Sequence, residues 1–387
     1  MRPPPPRPRS RGTAFRFLAA LVALTAGPAA AQEPLPPLQT DPAPPMYIPD
    51  PAGSGLAGMP PTVAAEMLPD WPRWFAGAGG LVMTRTLPGG AATMAPLDGM
   101  QLATSDASAT WPGGIDLHVG RWFGGRQRNA VEFIYWGLYG LGGSDSVTAD
   151  PAAIDVIPQA PGVTIGGTSA TTFLQNAAGQ TIGRADVVND VEINWVYSLW
   201  ERPEFLPRDR RVTLMWLAGF RYFGLGDTLR LTTTPGSPAL APSLLTVATA
   251  NSIYGAQVGA KFDWLFLPGL RLDIVPKFMI GGNAVTNTTS LVTASGDPAR
   301  FASGAPVGVH QTLGVFSWLG SVDTGLAWDV TDHWTLSLGY RVVGVGNIAQ
   351  ADGQWPVLIA TPDTLPGLSA TSSTIIHGGF AGFEARY

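Results

Sequence analysis

The chain has no cysteine, which excludes a disulfide framework, a thiolate nucleophile and a cysteine metal site. Charge is also scarce. Lys, Arg, Asp and Glu make up 13% of the 387 residues, against about a quarter in an average soluble domain. Long apolar runs are missing as well: the stretch Phe17 to Ala26 is shorter than the ~20 residues a membrane-crossing helix needs. A formal net charge of −5 provides no basic footprint for nucleic acid. There is no glycine-rich phosphate loop, no nucleophile elbow and no His/Glu cluster at metal spacing. No metal or other cofactor is therefore expected.

The N-terminal residues that are present look like an address. Arg2, Arg7, Arg9, Arg11 and Arg16 precede the apolar run, and Ala29-Ala30-Ala31 supplies the small residues of a cleavage site. Residues 1–31 are expected to be a signal peptide cut before Gln32. Eleven prolines in the 39 residues 32–70, with almost no periodicity, describe an extended linker. All thirteen tryptophans lie from Trp71 to Trp355, so the folded domain is expected over 71–387.

That domain shows no convincing helix-period segment. Period-two patterning instead recurs near 73–86, 114–123, 129–142, 186–200, 211–224, 251–266, 270–284, 313–330, 333–346 and 373–387. Short connections alternate with long ones rich in Gly, Ser, Thr, Ala and Pro, the long ones near 87–113, 143–185, 225–250, 285–312 and 347–372. Short turns at one end, long loops at the other and an even strand number predict an all-β, transmembrane, antiparallel up-and-down barrel. About ten strands are expected, within bounds of eight to twelve.

Hairpin register says which face is which. Folding 254–280 about Leu267 sets Asp263 against Arg271, Lys261 against Asp273 and Gln257 against Lys277, with an apolar opposite face carrying Trp264, Phe262 and Leu272. Folding about Asp332 sets Asp323 against Arg341, with Trp328, Trp334, Leu336, Leu338 and Tyr340 on the other face. The charged rows share one side, which in a membrane barrel must be the lumen. Parity then points inward Asp190, Glu192, Arg221, Lys261, Asp263, Arg271, Asp273, Lys277, Asp323, Arg341, Glu384 and Arg386. Six acids and six bases should neutralise one another in so narrow a bore. Beside the short turns stand Trp122, Trp200, Trp264, Trp328, Trp334 and, at the last residue, Tyr387. This is the placement of an interfacial aromatic girdle. The terminal aromatic also looks like the signal read by barrel-assembly machinery.

The strings "GFRYFGLGDTLRL" (219–231), "NSIYGAQVG" (251–259), "LRLDIVPKFMIGGN" (270–283) and "TDHWTLSLGYRVVGVGN" (331–347) resemble the planctomycete beta-barrel porin family numbered seven. The resemblance covers roughly 70–387 and implies an outer-membrane barrel defined by its architecture, without catalytic or ligand residues.

The expected function is a bacterial outer-membrane barrel, either a narrow pore or a structural envelope barrel. Its partners would be outer-membrane lipid, the assembly machinery, and ions or small solutes if it conducts. Two other classes stay open. Asp116 and His118 share a strand face and would seed a barrel-embedded hydrolase, but a general base needs a nucleophile or water within reach. A soluble exported β-sandwich binding module also fits alternation alone. His310, His333 and His377 form no constellation, and His377 falls on the lipid-facing row near the loop end.

Overall fold

The computed structural model describes residues 73–124, 127–199 and 211–387. The expected signal peptide, the proline-rich stretch and Trp200 lie outside the described residues.

Ten long strands form one closed sheet: β1 (Trp74–Arg85), β2 (Gly113–Phe123), β3 (Asn129–Leu141), β4 (Gly179–Ser198), β5 (Val212–Thr234), β6 (Ser243–Leu267), β7 (Leu270–Thr293), β8 (Gly308–Asp329), β9 (Trp334–Ile348) and β10 (Ser372–Arg386). Each pairs antiparallel with its neighbours in sequence, and β10 closes on β1 from Phe75↔Arg386 to Arg85↔Ile376. A short segment, Ser144–Thr148, continues the line of β3 along β4. Among the described residues no helix is long and apolar enough to cross a membrane, which a barrel does not require.

Alternation decides the faces. On β9, Trp334, Leu336, Leu338 and Tyr340 are exposed, while Thr335, Arg341 and Val343 of the alternate row are buried. On β5 the outward row is apolar from Val212 to Tyr222, then becomes Gly224, Gly226, Thr228, Arg230 and Thr232. The apolar band thus runs about ten residues, as it does from Trp264 back to Tyr254 on β6. About ten residues at ~3.3 Å and a strand tilt near 40° give a belt of about 25 Å, the height of an outer-membrane hydrocarbon band.

Five strands do not stop at that belt. β4 to β8 run 20–25 residues, and their loop-end halves rise beyond the apolar band as a polar-faced wall. Sequence patterning assigns much of this wall to loops at 225–250 and 285–312. The true connections are only 235–242 and 294–307. The pattern is unreadable there because an outward row of Gly, Thr and Ala facing water no longer contrasts with the inner row.

The β6–β7 register also differs from the sequence expectation. Leu267 pairs with Leu270, then Leu265 with Arg271, so Phe266 is an extra residue. Asp263 therefore stands opposite Asp273 rather than Arg271, and Lys277 opposite Gly259 rather than Gln257. The cause is local: Pro268-Gly269, with Gly269 at φ +74°, makes a tight turn of type II pattern, and the turn and the one-residue bulge beside it together offset every later pair by two from a fold about Leu267. A shift of two preserves the faces. The ladder to β6 skips Val275 and Pro276, in keeping with the missing proline N–H. The β8–β9 hairpin has the expected register, with Val322↔Val342 and Asp323↔Arg341.

Candidate functional site: a stratified lumen

The inward row of β5 shows the interior in order. From the turn end it reads Met215 and Leu217, then Arg221, then Phe223 and Leu225, then Asp227, then Leu229 and Leu231. Each of these levels belongs to a distinct layer of the lumen.

At the turn end, Phe75, Trp122, Ala130, Val196, Met215 and Leu217 form a small apolar cluster on one side. Beside it lies a cavity of about 220 Å³ lined by charged groups, among them His118, Glu132, Lys261, Arg271, Asp273 and Glu384. Water reaches it from this end, since the Arg271, Asp273 and Glu384 side chains keep 20–28% of their surface. Trp122 corrects the sequence expectation: it points inward, packs against Phe75 at 6.2 Å and is only 9% exposed. It shares the parity of Asp116 and His118, which places it in the lumen, and Phe123 takes the outward position. Trp264, Trp328, Trp334 and Tyr387 are outward and 45–65% exposed.

The charged residues pair both along the wall and across the bore, the two lysines across it. Lys261 Nζ reaches Glu132 Oε2 at 2.7 Å, and Lys277 Nζ reaches Glu192 Oε2 at 2.9 Å. Arg341 joins its hairpin partner Asp323 and Asp116 of β2, both at 2.7 Å. Arg271 bonds Asp273 on its own strand and Asp329 at 3.0 Å, and Arg386 bonds Glu384 at 2.9 Å. Asp263, facing Asp273, accepts from Thr213 Oγ1 at 3.0 Å. Lys261, Lys277 and the Arg341–Asp116 pair reach non-neighbouring strands because a ten-stranded bore is hardly wider than two long side chains.

Above the cavity sits a network shut off from water. Arg221 Nε donates to Asp190 Oδ2 at 2.7 Å, and its Nη1 lies 3.7 Å from Glu192 Oε1. Gln257 Nε2 donates to Glu192 Oε2 at 2.9 Å, and Asn194 Nδ2 does the same. Arg221, Asp190 and Glu192 are at most 1% exposed.

The next layer is built largely of apolar side chains. Leu81, Met83, Trp136, Leu138, Val188, Phe223, Leu225, Ile253, Met279, Leu319, Val343 and Ile376 are each 0–1% exposed. Trp136 and Phe223 pack at 6.3 Å, and the Arg341 guanidinium lies over the Trp136 ring at 5.3 Å. Nine of the ten strands contribute to this layer, so it is the barrel's own core rather than a loop folded into it. Beyond it come Arg85, Arg184, Asp186 and Asp227, and then a cap. There, Met94, Leu102, Ile154, Val156, Phe173, Leu174, Trp355 and Ile359 from the long loops pack on Ile182, Leu229, Leu231 and Val247 of the extended wall.

Sequence parity misses Glu132, Asp329 and the loop-end charges. Glu132 sits in a strand apolar on both faces, which hides its parity. Arg184 and Asp186 share the even parity of Asp190 and are recoverable by extending β4 backward.

Asp116 and His118 do face the same cavity, but they are separated chemically. Asp116 is taken by Arg341, whereas His118 Nε2 lies 3.2 Å from Glu384 Oε2. The ring reaches Glu384 by crossing Gly77, which pairs with both residues on its two flanks. A β-carbon at 77 would collide with the His118 ring at Cε1. Gly77→Val should therefore cost about 1–3 kcal/mol by overpacking, while Gly80→Ala, with open space around it, should be near neutral. Urea unfolding midpoints of the two variants in lipid vesicles check this. His377 is outward, its Nδ1 2.6 Å from Tyr340 Oη, and His310 is outward beside Thr288. Among the described residues no group of three or more His, Asp or Glu is arranged to hold a metal.

Comparison with known proteins agrees with this architecture at the level of family. No curated protein matches the chain. Among solved structures it is similar to the outer membrane protease OmpT from Escherichia coli, at 9% identity and TM-score 0.42, covering 83% of this chain and 98% of that one. It is also similar to a major outer membrane protein from Thermus thermophilus, at 10% identity and TM-score 0.30, covering 81% and 98%. A third is the P. putida toluene transporter TodX, at 9% identity and TM-score 0.29, covering 82% and 91%. Those likenesses are too distant to carry an activity. Residues 80–374 match the family described as Putative beta barrel porin-7, and the chain belongs to that family of outer-membrane β-barrels.

Proposed function

We propose that this protein is an envelope barrel closed at rest, with a blind, cation-attracting vestibule at its turn end and no enzymatic activity. The observation that carries this reading is the apolar layer around Trp136, Phe223 and Met279. Its side chains touch no water from either side, so a hydrated path has nowhere to pass. A porin of wide bore needs about sixteen or more strands, whereas this barrel closes with ten.

The vestibule and the buried network above it hold nine acids: Asp116, Glu132, Asp190, Glu192, Asp263, Asp273, Asp323, Asp329 and Glu384. Against them stand six bases, Arg221, Lys261, Arg271, Lys277, Arg341 and Arg386, together with His118. The balance of six and six expected from parity becomes an excess of acid, which favours small cations over anions in a low-dielectric bore. Against a hydrolase stands the pairing at His118: its carboxylate partner is Glu384, and Asp116 is engaged by Arg341. In this reading residues 1–31 are removed on export, and the aromatic C-terminus is offered to the assembly machinery.

The reading is tested by liposome swelling. Vesicles carrying the refolded full chain should swell in small sugars no faster than protein-free vesicles. Swelling that falls off with solute size would mean a continuous pore and end the closed-barrel reading.

A further inference from the structure

The segment that follows β9 turns into the barrel mouth instead of leaving it. Asn347, at φ +59°, redirects the chain, and Asn251 then holds the backbone of Ala349 with both ends of its amide. Its Oδ1 accepts from Ala349 N at 2.9 Å, and its Nδ2 donates to Ala349 O at 2.8 Å. One turn of helix, Ala351–Gln354, carries Asp352 down to the wall. Arg184 Nη2 donates to both Asp352 oxygens at 2.8 and 2.7 Å, and Thr104 of the first long loop donates at 2.6 Å. A single buried carboxylate thus ties two loops to the barrel.

In formal charge the wall is balanced without that carboxylate. Arg85 pairs with Asp186 at 2.7 Å and with Asp227 at 2.9 Å, and Arg184 pairs with Asp227 at 2.8 Å. Two guanidiniums already balance two carboxylates, all with fully buried side chains. Asp352 adds a third acid to this neutral set. Its departure into water would leave the wall balanced in formal charge, whereas the loss of any wall member would not. The apolar layer beneath is made of strand side chains and would stay in place.

We propose that residues 349–371 form a lid over the loop end of the barrel and that Asp352 is its latch. Closed, the lid is also held by Trp355, Ile359 and Leu365 in the cap core, so opening is an excursion from a closed resting state. Open, it uncovers a charged cup floored by the apolar layer, reachable from the loop side alone. The lid controls access to that cup and leaves conduction unchanged.

Hydrogen exchange of the full chain in lipid vesicles, read by mass spectrometry, tests this. In the wild type, peptides from 349–371 should exchange measurably faster than β9 peptides from 334–346. Asp352→Asn should accelerate 349–371 by about tenfold or more, the effect of losing ~1.4 kcal/mol or more from a local opening equilibrium, and leave 334–346 unchanged. Asp352→Ala should do the same, and added formate, filling the vacated place against Arg184, should slow exchange again. If the alanine variant fails to fold, the asparagine variant decides. Wild-type exchange of 349–371 as slow as the belt strands, an Asp352→Asn variant that does not differ, or acceleration spread equally over the barrel would each overturn the proposal.

Discussion

Arg221→Met should destabilise the barrel by about 3–5 kcal/mol, the loss seen when one partner of a buried ion pair is removed. Arg221 is 1% exposed, and it is the direct partner of Asp190, which is 0% exposed. Methionine fills much of the volume but leaves the buried Asp190 carboxylate without its direct cation, and leaves Glu192 with Lys277 as its remaining cation. The double variant Arg221→Met with Asp190→Asn should recover a large part of the loss, because the orphaned charge is then gone. Equilibrium unfolding in guanidinium from lipid vesicles, analysed as a double-mutant cycle, measures both numbers. A cost under ~1 kcal/mol would be that of an exposed pair and would mean that water reaches this layer.

Trp136→Ala carries the second large effect. In an open channel a lumen-facing side chain stands in water, and trimming it costs little. Here Trp136 is 1% exposed, packs on Phe223 and lies under the Arg341 guanidinium, so its removal hollows a dry core. A cost of about 3–5 kcal/mol is expected, as for large-to-small changes in soluble cores. Trp328→Ala supplies the contrast: Trp328 is 54% exposed on the outer face, where the bilayer and not the barrel surrounds it. The same unfolding assay should rank Trp136 well above Trp328. Equal, small costs would mean that the apolar layer is loosely packed.

These expectations rest on faces, and faces are legible in the sequence. The alternation Val191, Ile193, Trp195, Tyr197 against Asp190, Glu192, Asn194 places the lumen of β4 correctly because charge and aromatic contrast at every step. Register is less legible. The β8–β9 hairpin can be paired from Asp323 and Arg341, but β6–β7 cannot, since the bulge at Phe266 has no signature beyond Pro268-Gly269 nearby. A ladder of opposite charge guides correctly at Asp323 and Arg341 but misleads along β6–β7. In so narrow a bore Lys261 and Lys277 find better partners across the lumen, on β3 and β4, than beside them.

The layered interior is the least visible part. Phe223, Met279 and Leu319 read as ordinary inward positions one by one, and only closure of the ring brings them to one level. The cap is hidden for a related reason: Met94, Ile154, Phe173 and Trp355 lie in loops whose glycine, proline and threonine content suggests open surface, yet they share one apolar cluster. Trp122 illustrates the opposite error. Its place beside a turn suggests the interface, while two-residue parity with His118 puts it inside.

Single-channel recording of the full chain refolded into planar bilayers, with far-UV circular dichroism first establishing β structure, tests the closed lumen most directly. Folded, inserted protein should give a flat baseline with no steady steps, because twelve dry side chains separate the vestibule from the loop end. Reproducible ohmic steps would require a continuous water path and would contradict the account.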